Sequence, residues 1–448
     1  MTKAVMLKLK LNYLYELQKK IERKYLNHLN LNCTKGKLKN GLEYILYQDK
    51  SLPLVSVNIW YKVGSAYETK GKTGLAHLFE HMMFQGSENV PKEMHFRYIQ
   101  EAGGTLNGST STDKTNYYEK LPSNYLELAL WLESDRMGYF LPALTQEKLD
   151  NQKDVVKNER LERYDNQPYG LAWELMNTNL YPENHPYSWS TIGFLKDIES
   201  YTLDDVKNFF KKYYSPNNAC LVVAGDFEND NAIQLIEKYF GLIEPFDSNH
   251  KPASNKLTLD KNILVEHKDN VQLERIYLAW HSDLIFGNDD SSLEVAADIL
   301  TGSKNSRLYK KLVFDLQIAQ DVTAFQHSGK FGGQFMIVST ARPGTNLDEL
   351  KSIILDEVNI MSNTEVSDKE LEKSKNGIKS QFVFAMQNLD TVADYLNHYN
   401  YYLDEPNSFE LDLERYNEVN INSLQSAVQN YLTKPFVELR ITPKETVQ

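Results

Sequence analysis

The chain is predicted to be an α+β protein built as two halves of similar design. Three observations carry that prediction. At 448 residues it exceeds what one hydrophobic core ordinarily serves, so two domains are expected. Short runs rich in β-branched and aromatic residues alternate with longer stretches of helical period. The same order, strands and then helices, occurs in both halves and points to an internal duplication. The expected division is an amphipathic helix over 1–34, an α+β domain over 35–243, a linker over 244–260 and a homologous α+β domain over 261–448.

In chain order, Leu7, Leu11, Leu14, Leu17, Ile21 and Tyr25 recur at spacings of three and four, which predicts the N-terminal helix. Lys8 and Lys10 interrupt the apolar run that a signal peptide needs, so a helix packed on the protein or on a partner is expected. Strands follow over 42–47 and 54–62. Gly71 and Gly74 precede the next helix, with Thr73 as its candidate N-cap. A helix over 92–102, a glycine turn at Gly103 and Gly104, a polar strand through Asn107, Gly108 and Ser109, and a strand over 115–119 come next. Helices over 124–137 and 146–164 lead to an apolar strand at Cys220–Gly225 and a helix over 230–240. Pro245 and Pro252 mark the linker. In the second half, strands over 263–266 and 272–280, a helix over 291–300, strands over 320–327 and 334–340, and helices over 346–361 and 368–387 repeat the pattern.

Composition narrows the function. A net charge of −12 argues against nucleic-acid binding. No stretch approaches the roughly 18 consecutive apolar residues of a membrane span. Cys33 and Cys220 are the only cysteines, too few for a disulfide framework and consistent with a reducing compartment, so the cytoplasm is the expected location.

The chemistry concentrates in His77-Leu-Phe-Glu80-His81. On a helix, His77 and His81 stand at i and i+4 on one face, with Glu80 beside them. Two imidazoles with a carboxylate suit a borderline-soft divalent cation, zinc above all. The H-x-x-E-H order is the inverzincin arrangement of metallopeptidases. Zinc needs a third protein ligand, and the helix over 146–164 offers Glu159 and Glu162, between which spacing does not choose. The strand through Asn107 is either an exposed edge able to pair with an extended peptide or a plain hairpin of the domain's own sheet.

Taken with Asp154-Val-Val-Lys-Asn-Glu159-Arg160 and Asn166-Gln-Pro-Tyr-Gly170, the motif resembles the pitrilysin/insulinase family of zinc peptidases, within it the bacterial branch related to the mitochondrial processing peptidase. Phe84-Gln-Gly86, the Gly103–Thr110 segment and His185-Pro-Tyr-Ser-Trp-Ser-Thr191-Ile-Gly193 extend the match, which runs from about Gly36 to the C-terminus. The resemblance implies paired LuxS/mitochondrial-processing-peptidase-like domains forming half of a clamshell. It implies one zinc ion held by His77, His81 and Glu159, with Glu80 as general base. It also implies peptide substrates paired along Asn107, Gly108 and Ser109, close to Phe84. Gln152 falls where relatives often carry a glutamate supporting the metal from behind its ligands, so charge is lost there.

One departure bears on architecture. Relatives that work alone or as homodimers carry an arginine and a tyrosine seven residues apart after the Ser306-Arg307-Leu308 element, where they stabilise the oxyanion. Here those positions are Val313 and Gln320, and Arg307 belongs to the packing element. The expectation is therefore a heterodimer whose homologous, zinc-free partner supplies the pair. The alternatives are a self-sufficient homodimer using other donors such as Tyr309, and a catalytically silent peptide-binding or assembly subunit that keeps the metal for stability. The aromatic run at residues 395–402 either lines the chamber or packs as an ordinary helix.

Overall fold

A computed structural model describes residues 31–246, 252, 257–364 and 366–444. The helix expected over 1–34 lies almost wholly outside them, as does most of the linker over 244–260.

The first half holds a six-stranded sheet. Its strands are β1 (Cys33–Lys37), β2 (Glu43–Gln48), β3 (Leu54–Tyr61), β4 (Thr105–Thr110), β5 (Thr115–Pro122) and β6 (Ala219–Gly225), in the order β1-β2-β6-β3-β5-β4. Only β2 and β6 run parallel. Every residue of β6, an unbroken apolar run, is buried, as its central place requires. Among the described residues β4 pairs only with β5 and forms the sheet's edge. Eight helices accompany this sheet: α1 (Leu75–Met82), α2 (Met94–Glu101), α3 (Leu126–Ala143), α4 (Gln146–Arg160), α5 (Ala172–Leu180), α6 (Leu195–Glu199), α7 (Leu203–Tyr213) and α8 (Asn229–Phe240).

The second half repeats the plan. Strands β7 (Ile263–Asp269), β8 (Arg275–Ser282), β9 (Ala319–Ser328), β10 (Gly333–Ala341) and β11 (Val437–Pro443) form a sheet in the order β7-β11-β8-β10-β9, with β7 and β11 parallel. Set β1 aside and the two orders correspond strand for strand, β4 matching β9. The helices are α9 (Asp290–Thr301), α10 (Leu347–Asn363), α11 (Asp368–Ala385), α12 (Leu389–Leu403), α13 (Phe409–Glu418) and α14 (Ile421–Tyr431). The architecture is thus α+β, with two sheets of matching topology packed against helices.

The halves also exchange helices. From the first half, α5 packs on β8 and β11, joining Met176 and Leu180 to Ala279, Leu439 and Ile441. From the second, α12 packs on β3 and β6, joining Leu396 and Tyr399 to Val222 and Ala224. The aromatic run 395–402 therefore lies in ordinary helix packing: Tyr399 is fully buried, and Tyr401 and Tyr402 bond to the β4–β5 turn.

Candidate metal centre

The motif helix α1 is short but firmly anchored. Phe79 points into the first core, fully buried, with the rings of Tyr214, Phe140 and Phe209 at 4.2, 5.3 and 5.6 Å. Burying such a side chain contributes about 1.5–3 kcal/mol. That anchor turns the opposite face, bearing His77 and His81, towards a cavity. The helix start differs from the sequence expectation. Its N-cap is Gly74, at φ +87°, where an added Cβ would stand 2.3 Å from the Ile192 carbonyl oxygen. Thr73 is not the cap; its hydroxyl donates to Asp197 at 2.7 Å instead. The orphan amides of Gly74 and Ala76 donate to the buried Glu68 carboxylate at 2.8 and 2.7 Å.

The third candidate ligand arrives on α4, capped by Thr145 and buried along Leu149, Gln152 and Val156. Glu159 Oε2 stands 3.7 Å from His77 Nε2 and 3.3 Å from His81 Nε2. Ligand atoms of the three residues all lie within 4.8 Å of one another, the one such group of three among the described residues. Glu162 is exposed on the π-helical turn Leu161–Asp165 that follows α4, and it does not join them.

Zinc fits this donor set. Ligands about 2.0–2.2 Å from a tetrahedral ion stand roughly 3.3 Å apart, close to the separations found, and two imidazoles with one carboxylate are a catalytic zinc combination. Burial first, and then the neighbouring His81, pushes His77 down to about 4, so its ring is neutral and able to ligate at pH 7. The hydrogen bond from His81 holds the Glu159 carboxyl below its ordinary range.

Glu80 sits beside the three. Burial raises its pKa, opposed by a 2.5 Å hydrogen bond that Thr110 Oγ1 donates to Oε2. Thr110 ends β4, and Gly108 brings that strand close: a Cβ there would meet Glu80 and Phe84 at 3.2 Å. Asn107, Gly108, Ser109, Phe84 and Gln152 share one cavity of about 550 Å³ with Glu80 and the three candidate ligands. A larger cavity, about 710 Å³, lies in the second half beside His281 and Asp283, away from this chemistry.

Side-chain bonds around the cluster add detail. The Gln152 amide donates to Asn151 at 2.9 Å. The group that steadies the third ligand is Arg163, whose Nη1 stands 2.8 Å from Glu159 Oε1. Sequence reasoning passed over Arg163, although its i, i+4 spacing from Glu159 was a signal. It also missed Thr110 as the partner of Glu80, and Glu68.

A cluster able to hold one metal ion, a second carboxylate beside it and an open strand edge, on a duplicated α+β scaffold, define a metallopeptidase-like architecture. Residues 44–188 match the family model described as insulinase (peptidase family M16), and residues 200–378 match that of the peptidase M16 inactive domain. The chain belongs to the M16 peptidase family. It is 30% identical over 369 residues to the zinc protease PqqE of Helicobacter pylori, covering 80% of this chain and 82% of that one. It is 23% identical over 367 residues to a probable mitochondrial-processing peptidase subunit beta of Arabidopsis thaliana, covering 80% of this chain and 68% of that one. Among solved structures, a Helicobacter pylori protease superposes with a TM-score of 0.84 at 26% identity, over 92% of this chain and 100% of that one. The fold of the periplasmic protease PqqL from Escherichia coli is similar at a TM-score of 0.75 and 18% identity, with 92% of this chain covering 48% of that one. Among the described residues, no helix is long and apolar enough to cross a membrane.

Proposed function

We propose that this chain is the zinc-bearing subunit of a heterodimeric endopeptidase that hydrolyses short or unfolded peptides. The observation that carries the reading is the convergence of His77, His81 and Glu159 within 4.8 Å, with Glu80 alongside. In functional terms the linker over 244–260 divides the chain: 35–243 brings the metal ligands and the base, and 261–448 brings neither.

Zinc held by these three residues would supply an acidified water, its pKa lowered from 15.7 to about 7, and a Lewis acid for the scissile carbonyl. Glu80 would move the proton, taking it from the attacking water and returning it to the leaving nitrogen. Burial lifts its proton affinity towards the range a general base needs, while Thr110 occupies Oε2 and leaves Oε1 for the transfer. An extended peptide pairs with the outer edge of β4 along Asn107, Gly108 and Ser109. The rings of Phe84 and Phe96, 4.8 Å apart, form an apolar wall for one of its side chains.

Three observations support a two-subunit enzyme. Val313, partly buried against the second core, has no side-chain hydrogen bond to give, and Gln320 is exposed on β9. One relative is itself described as a subunit. The fold of this chain occurs as about half of a longer chain in PqqL. The "inactive" description attaches to residues 200–378, which contain none of the four site residues, so it does not weigh against the metal half. The two cysteines are free thiols, which supports the cytoplasm as the compartment.

Metal analysis with a peptide-cleavage assay tests the reading. Parent protein and Glu162→Gln should each retain one zinc per chain, whereas Glu159→Gln should lose both zinc and cleavage. Parental zinc content in Glu159→Gln would overturn it.

A further inference from the structure

Beyond the metal centre, Asp113 is a buried acid with three bonds to its carboxylate at the junction of the two halves. It lies in the β4–β5 turn, three residues after Thr110, and is 2% exposed. Its Oδ2 accepts from the Tyr402 hydroxyl and from the Lys330 amide, each at 2.9 Å. Its Oδ1 accepts from the Tyr187 hydroxyl at 2.5 Å, and that same hydroxyl accepts from the Phe331 amide at 3.2 Å. Its main-chain oxygen accepts from the Tyr401 hydroxyl at 3.1 Å. Lys330 and Phe331 belong to the β9–β10 turn, and Tyr401 and Tyr402 to the end of α12. The partners of this one carboxylate thus tie the tip of the β4 hairpin to two elements of the half that lacks the metal motif.

The same tip reaches the metal helix from the other side. Ser65 and Ala66 donate their amides to Ser111 and Thr112 at 3.1 and 2.8 Å, and two residues on, Glu68 caps α1. Thr110, at the base of the turn, holds Glu80. Among the described residues no strand pairs with the outer side of β4, so its backbone is held in the sheet by β5 alone, with α1 and α2 packed against it and the turn fixing its end.

We propose that Asp113 is a positioning residue through which the second half sets the place of β4 against Glu80. This rests on the peptidase reading above and gives the metal-free half a task in the same chain: it holds the substrate edge in register. Asp113 touches no reacting atom. The opposite rim of the sheet offers a control, because there the halves also meet through Lys35 Nζ and Asp404 Oδ1 at 2.7 Å, next to β1 and far from β4 in strand order.

Hydrogen exchange on zinc-loaded full-length chain without substrate, read by mass spectrometry, tests the placement. In Asp113→Ala the amides of residues 105–120 should exchange about tenfold faster or more than in the parent, with zinc content unchanged. Tyr402→Phe, which removes a single bond, should give a smaller increase and keeps the test open if Asp113→Ala does not fold. Asp404→Asn should leave these amides at the parental rate. In the peptide assay Asp113→Ala should lower kcat/KM about tenfold or more, chiefly through KM, and Asp113→Asn, which keeps one acceptor oxygen, should recover part of the loss. Unchanged hairpin exchange in Asp113→Ala or in Tyr402→Phe, or equal acceleration in Asp404→Asn, would overturn the proposal. Should the parent cleave no peptide, the peptidase reading falls, and the exchange results alone decide the placement of β4.

Discussion

Two carboxylates on neighbouring helices stand in different surroundings, which suits them to the different tasks proposed above. Glu159 faces both histidines, and Arg163 takes its other oxygen. Glu80 faces Thr110 and the β4 backbone instead. Glu80→Gln should therefore keep the metal and lose cleavage by roughly 10²–10⁴-fold, the usual worth of general acid–base help. Zinc content and turnover measured on one preparation check both halves of that statement. Thr110→Val should lower turnover less, since the carboxylate stays and only its orientation loosens. The choice between Glu159 and Glu162 was beyond spacing alone, because both stand near the end of one helix. What separates them is the passage from α4 into a π-helical turn, which leaves Glu162 on the surface.

Arg307 makes a second residue-scale case. It is locked to Glu370 by bonds of 2.7 and 3.1 Å and serves the second half's packing, not the metal centre. That pairing pulls the Glu370 carboxyl down to about 2. A pKa lowered by folding gives stabilisation that is complete above the ordinary carboxylate value near 4.5 and is lost as the pH falls towards 2. Arg307→Met should accordingly lower the melting temperature at pH 7, and the deficit should shrink as the pH drops through that window. A deficit independent of pH would mean that only the methylene packing of Arg307 matters.

At the scale of elements, periodicity located most strands and helices, because each buries one face or, like β6, both. What it left out is instructive. Residues 437–443 became β11, which lies between β7 and β8 and closes the second sheet through contacts made from the far end of the chain. The cap of α1 was equally hidden, since Glu68 lies outside the local window where a capping side chain is sought. Glu68→Ala would leave two buried amides without acceptors, at about 1–3 kcal/mol each. The variant should melt earlier than the parent and bind zinc more weakly, because the helix start next to His77 would fray. Melting curves with and without added zinc measure both effects, and a zinc-induced rise equal to the parent's would show that the cap serves stability alone.

The whole molecule is a duplication in which one copy keeps the metal motif and the other keeps the scaffold. Matching strand orders were foreshadowed by the repeated sequence pattern, but the exchange of α5 and α12 was not, since no local signal says which sheet a helix will cover. That exchange makes the halves interdependent. It places α12 on β3 and β6, with its last turn bonded to the β4–β5 turn, so the second copy supports the metal half without supplying ligands.

On the two-subunit reading proposed above, Val313 and Gln320 leave the chain without the arginine and tyrosine that would stabilise a developing oxyanion. Val313 has none to offer at the position where relatives carry arginine, and losing one such donor costs about 2.7–4 kcal/mol, a factor of 10²–10³ in rate. The zinc-loaded chain alone should therefore cleave an unstructured peptide at least about 100-fold more slowly than the same chain with a homologous partner carrying the arginine and tyrosine. The comparison is made on the two peaks of a size-exclusion run with mass detection, each assayed for zinc and for turnover. The lone-chain peak should carry its metal and little activity, because the proposed ligands and base, His77, His81, Glu159 and Glu80, all lie within one chain. If that peak instead has twice the chain's mass and the full rate, the donors come from a second copy of this same chain, and the self-sufficient homodimer replaces the heterodimer.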